Sequence, residues 1–298
     1  MTIATPTRRR GRAPKVRTAP VRGNDSKASV VLRWVILILG ALLFLLPFYL
    51  LFRNALTAEV DLVAPGWHWL PPTWEWGNLQ SVLESRTVPM GRALWNSLFI
   101  AVTQTVGVLV LSGMAGYGLA RIPYRWSGVV FWIITVTLLI PAAVTFVPSF
   151  VLVSTLGWIS TLRGLIIPGL FQALATFLFR QFFLSFPKEL EEAAALDGLS
   201  WWGTFWRVVV PNSGGFAAAI GTITFIGSWN AFLWPLVIGR SQESWTVQVA
   251  LSSFLTAQSA QISQLFMAAL IAILPLLLMF LVLQRWIVQG VERSGISE

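Results

Sequence analysis

PKELEEAAALDGLSWWGTFWRVVVP, residues 187–211, is a charged, glycine-punctuated island between strongly apolar segments. If those segments cross a bilayer, the island is a loop large enough to fold and to be held by another protein. Glu189, Glu191 and Glu192, close behind Pro187 and Lys188, suit the positive end of a short helix. Ala193, Ala194, Ala195 and Leu196 continue that helix and Gly198 ends it. Ser200 then caps a second short helix through Val209, and Pro211 reopens the chain before the next apolar segment. The expectation is a helix, a sharp bend and another helix along the inner membrane face, with Trp201, Trp202, Phe205 and Trp206 at the interface.

Outside the island, composition excludes most other classes. A chain of 298 residues that is 56% hydrophobic and 11% charged, with mean hydropathy +0.72, reads as an all-α polytopic membrane protein. The absence of cysteine removes thiolate metal sites, thiol catalysis and disulfides. His68 is the only histidine and precedes Trp-Leu-Pro-Pro, which argues against a histidine metal centre or catalytic base. The net charge of +9 is concentrated near the start, where residues 1–33 carry nine Lys or Arg against Asp25, with no aromatic before Trp34. Without a stacking platform this is no nucleic-acid surface; it reads as a disordered basic cytoplasmic tail, residues 1–29, that orients the first span and touches anionic membrane lipid. The apolar run from Val30 is too long for a cleaved signal peptide.

Six spans follow from the apolar runs, at about 31–52, 95–119, 127–150, 163–182, 212–236 and 264–284. With both ends inside, five basic residues fall outside (Arg53, Arg86, Arg92, Arg163 and Arg240) and the remaining sixteen inside, in keeping with the positive-inside bias. The membrane-spanning body is thus 30–290, with 291–298 a short tail. Pro141 and Pro148 break the third span, which either lines a water-filled path or is kinked for packing. Asn230, flanked by Ser228 and Trp229, is an amide in an apolar helix; it either bonds a neighbouring helix or faces solute. Trp67, Trp69, Trp74 and Trp76 in the long loop 53–94 either anchor at the headgroups or stack on sugar rings. The polar loop 238–262 has room for a surface helix.

The chain has no Gly-x-x-x-x-Gly-Lys-Ser/Thr phosphate loop, so it does not hydrolyse ATP by itself. None of its twelve acids sits at the centre of an expected span, whereas Glu189, Glu191, Glu192 and Asp197 gather in the island. That distribution disfavours a proton-coupled secondary transporter and favours force delivered from outside the membrane.

The island's Glu192-Ala193-Ala194, with Gly198 after three further residues and Pro211 beyond Val208 and Val210, resembles the signature loop of binding-protein-dependent ABC transporter permeases. Together with FIGSWNAFLWP at 225–235, it is similar to the carbohydrate-uptake branch and to the second membrane subunit of maltose-type importers. The resemblance implies a type I ABC importer permease fold in a bacterial cytoplasmic membrane. It also implies a non-enzymatic role beside a second homologous permease subunit, two ATPase subunits that hold ATP and Mg, and an extracytoplasmic solute-binding protein. By the same resemblance, Glu191, Glu192, Ala193, Ala194, Asp197, Gly198 and Pro211 form the ATPase-coupling element. Ser228, Trp229, Asn230, Trp234 and Pro141 become substrate-pathway candidates, and no cofactor binds this chain. The implied cargo is a sugar or oligosaccharide; a phosphorylated polyol such as glycerol phosphate is the alternative within the family. A membrane scaffold that moves no solute is the remaining alternative.

Overall fold

Long runs of Leu, Ile, Val and Phe form helices throughout the computed structural model, which describes residues 27–256 and 261–294. In chain order these are α1 (Lys27–Ala55), α2 (Glu59–Val63), α3 (Gly77–Leu83), α4 (Met90–Arg121), α5 (Ser127–Thr137), α6 (Ala142–Thr155) and α7 (Leu162–Ile166). There follow α8 (Ala173–Leu184), α9 (Lys188–Leu196), α10 (Trp201–Thr204), α11 (Val210–Asn212), α12 (Gly214–Trp229), α13 (Leu233–Ile238), α14 (Val247–Thr256) and α15 (Ile262–Ser294). A 3-10 turn, Ile167–Gly169, extends α7, and a π-helical stretch, Phe205–Val209, joins α10 to α11. Among the described residues the only β pairing is a single bridge between Thr57 and Trp74.

The chain divides into two compact units. The first, Met1–Tyr49, is described from residue 27 and consists of the apolar part of α1, which keeps its helix through Pro47. The expected tail at 1–29 lies outside the described residues up to 26, and 27–29 are helical.

In the second unit, Leu50–Glu298, α4 is the spine. Its Met90, Ala93 and Ala101 join a core with Phe225 and Trp229 of α12, Val247, Ala250 and Phe254 of α14, and Met267, Ala268 and Ala272 of α15. Its Val108 and Tyr117 join a second core with Phe179 and Phe183 of α8, Phe205 and Ile220. Its Ile100 joins a third with Val153, Leu165, Ile166 and Ile238. At Gly116 α4 and α8 come close: a Cβ there would lie 2.7 Å from the Phe179 Cβ and 2.8 Å from the Arg180 amide nitrogen. Small residues in a membrane helix permit such backbone approach.

Among the described residues four helical stretches are long and apolar enough to cross a membrane, or up to six if each of two bent pairs is one span. The bent pairs are α5 with α6, turned by 98°, and Trp201–Asn212 with α12, turned by 80°. Three expected spans are more broken than their hydropathy implied. The third bends by 98° at Pro141, which was expected to break it and which precedes α6 in extended conformation, whereas Pro148, also expected to break it, lies inside α6. The fourth is α7, a 3-10 turn around Pro168, and then α8 after a gap. The fifth, expected through 236, stops at Trp229, and α13 starts afresh at Leu233. The helix in the loop 238–262 exists as α14, but Val247 and Ala250 are fully buried, so it is part of the core and no surface element. At the C-terminus α15 runs through Ser294, past the expected start of the tail at 291; residues 295–298 lie outside the described part.

Candidate functional site

Two features of the second unit gather polar and charged side chains: the island and a polar seam within the helices. In the island, Pro187 precedes the first turn of α9, Glu189 and Glu191 occupy that turn, and Gly198 ends the helix at φ +80°. That left-handed conformation favours glycine, and the open space around Gly198 means its cost to other residues is in the backbone alone. Ser200 caps the next helix by accepting from the Gly203 amide at 3.3 Å. Asp197 stands at the end of α9, and the cap of the second helix is Ser200, as expected. Pro211 lies inside the second helix, which widens into its π turn just before it. Without an amide hydrogen Pro211 cannot close a regular turn. Asn212 Nδ2 donates to Val208 O and Ser213 Oγ to Val209 O, both at 2.7 Å, and the 80° bend follows.

The two faces of α9 differ. Ala194 is buried, and Glu191 turns inward to Arg121 at the end of α4, its carboxylate 3.3 Å from the guanidinium Nε. Burial pushes the Glu191 carboxyl above its ordinary value of 4.5, against the opposing pull of Arg121, the Tyr117 hydroxyl and Lys188. Arg121 also donates to the Phe186 carbonyl, just ahead of α9. Glu192 and Ala193 face out, and Leu196 is 91% exposed at the tip. Of the four aromatics expected at the interface, Trp201, Trp202 and Trp206 are exposed. Phe205 is buried against Tyr117, their rings 5.2 Å apart.

The polar seam centres on Gln104, in the middle of α4, which sequence reasoning passed over. Its amide donates to the carbonyls of Leu165 and Ile166 at 2.9 and 3.2 Å, at the end of α7. Its oxygen accepts from Ser228 Oγ at 2.6 Å. Asn230, at the exposed end of α12, accepts from Gln248 of α14 at 3.2 Å. Ser228 and Asn230 are thus at a polar end of α12 that other side chains already address. Trp229 between them points the other way: it is 1% exposed, stacks on Phe225 and donates to Ala272 O at 3.2 Å. A residue so enclosed packs against α15 and offers no surface to solute. Trp234 donates to Gly164 O at 3.0 Å and meets Phe146 edge-on. Pro141 is exposed at the α5–α6 bend. An isolated glutamine or asparagine in an apolar span was the available signal for such a seam.

Among the described residues no group of three His, Cys, Asp or Glu side chains could hold a metal ion. Among the described residues the chain is all-helical with up to six membrane-length stretches, the build of a polytopic membrane protein. Its likeness to a chain in the crystal structure of a bacterial ABC transporter involved in the import of the acidic polysaccharide alginate has a TM-score of 0.78 at 22% identity, covering 90% of this chain and all of the other. The chain belongs to the family of binding-protein-dependent transport system inner membrane components, whose pattern matches residues 108–293. It is therefore a multi-pass inner-membrane transport component, in a family whose part in import is passage rather than catalysis. It is similar to the sn-glycerol-3-phosphate transport system permease protein UgpE of Yersinia enterocolitica, 32% identical over 266 residues that span 87% of this chain and 95% of that one. Its likeness to the proteins of the same name from Pectobacterium atrosepticum and Brucella abortus is 35% and 31%, with the same shares covered. The family expected from the island stands; these relatives do not carry its narrower assignment to the maltose-type branch.

Proposed function

We propose that this chain is one of two membrane subunits of an ATP-driven importer whose cargo is a phosphorylated polyol of the glycerol-3-phosphate kind, delivered by an extracytoplasmic binding protein. The observation that carries the cargo is the 32–35% identity to glycerol-3-phosphate permeases across 95% of their length. It favours this cargo over the neutral sugar that the island's resemblance suggested. A phosphorylated polyol needs hydroxyl partners and a cation. Ser228 and Asn230, with Gln104 and Gln248 beside them, supply the former. Arg163 and Arg240, on segments joined by the Ser160 and Ile238 hydrogen bonds, supply the latter.

In this reading the ends of the chain and the island 187–211 face the cytoplasm, and 30–290 is the permease body. The outward face of α9, with Glu192, Ala193 and the protruding Leu196, seats in a groove of an ATPase subunit. ATP and Mg are held by the ATPase pair. A second homologous permease completes the path. Gly198 sets the angle between α9 and the helix that leads into α12, so that a pull on α9 reaches the spans.

Uptake by the complete importer in proteoliposomes tests the cargo. Labelled glycerol-3-phosphate accumulates with ATP, and unlabelled maltose does not compete. ATP-dependent accumulation of maltose with none of glycerol-3-phosphate would overturn the reading.

A further inference from the structure

We propose that the Arg121–Glu191 ion pair is the yoke through which α9 drives α4, so that the transport stroke enters the membrane helices by α4 as well as along the chain through the Gly198 bend. This rests on the reading of α9 as the ATPase-facing element and adds a second route for its motion.

Three observations carry it. The pair is enclosed, with side-chain exposures of 7% for Arg121 and 12% for Glu191, unlike the outward Glu192 and Asp197 on the same element. Arg121 holds the N-terminal part of the segment at two points, the Glu191 carboxylate in the first turn of α9 and the Phe186 carbonyl before α9 begins. Beyond Arg121, α4 cannot yield locally. Gly116 sets it in backbone contact with α8, and Tyr117 stands against Phe183 and Phe205. A displacement at Arg121 therefore moves α4 and α8 together, and α4 contributes to all three cores of the unit. Packed interiors transmit such displacement because they deform little. A charge pair shielded from water is costly to break on one side only, since the remaining charge is left unpaired.

Without the pair, α9 reaches α4 through α8, which precedes it in the chain and packs on α4 at Gly116. The side-chain pair adds a direct contact between α9 and the end of α4. Arg121 and Glu191 are positioning residues: neither needs to touch the solute or the nucleotide.

The test uses the complete importer in nanodiscs. The chain has no cysteine, so spin labels placed by Glu189→Cys, exposed in the first turn of α9, and Tyr124→Cys report the distance between α9 and the turn that follows α4. With the pair intact the distance is single and unchanged by trapped ATP. With Glu191→Gln it broadens and shifts on ATP, and solute moved per ATP hydrolysed falls about tenfold, the equivalent of roughly 1.4 kcal/mol of lost coupling. The exchange Arg121→Glu with Glu191→Arg recovers at least part of both, as a coupled pair in a double-mutant cycle must. A Glu191→Gln chain that keeps the single, nucleotide-independent distance, or an exchange that recovers nothing, overturns the yoke. The distance also reads out in the permease without its ATPase, so a failure of ATPase docking is recognised separately.

Discussion

The indole of Trp234 donates to the carbonyl of Gly164 at 3.0 Å, and that carbonyl is the one Pro168, four residues on, cannot serve because proline has no amide hydrogen. A helix broken inside a membrane needs its freed carbonyls met by protein. Trp234→Phe keeps the ring and removes the donor, and should cost about 1–3 kcal/mol, the range for a buried acceptor left unsatisfied. The check is thermal unfolding of the purified subunit in detergent. In a Pro168→Ala background, where an amide can serve Gly164, the loss should shrink.

Gln104 meets three groups at once: the carbonyls of Leu165 and Ile166 and the hydroxyl of Ser228. Gln104→Leu is therefore expected to destabilise more than Ser228→Ala, by about 2 kcal/mol or more against about 1. Denaturation curves of the two variants, compared side by side, decide it. Equal losses would mean that the seam carries no such network.

The close approach of α4 and α8 makes Gly116 and Gly118 a matched pair. A methyl group at Gly116 would fall within 2.8 Å of the α8 backbone, whereas at Gly118 it would meet nothing within 4 Å. Gly116→Ala should cost about 1–3 kcal/mol through overpacking and lower the yield of folded protein, and Gly118→Ala should be neutral or slightly stabilising. Size-exclusion profiles and melting temperatures of the two distinguish them.

Glu59 of α2 closes over the start of α15, accepting from the Ile262 amide at 3.0 Å and the Ser263 amide at 2.8 Å. Burial by itself would raise its pKa, but the hydrogen bonds from Ser263 and Ile262 outweigh this and hold it below the ordinary 4.5. The carboxylate is thus favoured in the folded chain. Its contribution is present above pH 4.5 and is lost as pH falls through the lower folded value. Glu59→Gln should therefore be less stable than the native chain at pH 7, with the gap closing as the medium is acidified below that point. A melting-temperature series over pH reads the convergence.

Much of the fold was legible because apolar runs of membrane length have few alternatives. The glycine end of α9 and the Ser200 cap were legible for local reasons of backbone and hydrogen bonding. The breaks in spans four and five were only half visible. Pro168 announced the first, but the groups that repair it, Gln104 and Trp234, lie 61 and 70 residues from the carbonyls they serve. The orientation of Trp229 was not legible at all, since Ser-Trp-Asn contains no periodicity to say which face meets α15. Glu191 and Glu192 are likewise neighbours of one type, and only the position of Arg121 turns one inward.

In the proposed importer the outward tip of α9 is where a separate ATPase takes hold. Disulfide trapping tests it most directly, because the chain has no native cysteine to confuse the result. In the assembled importer, Leu196→Cys should cross-link to a cysteine introduced along the groove of the ATPase subunit, with a yield that changes when nucleotide is trapped. Trp76→Cys, also exposed but placed in the long loop before α4, should give none. Absence of any ATPase cross-link from position 196 in an assembled, active importer, or equal cross-linking from position 76, would contradict the account.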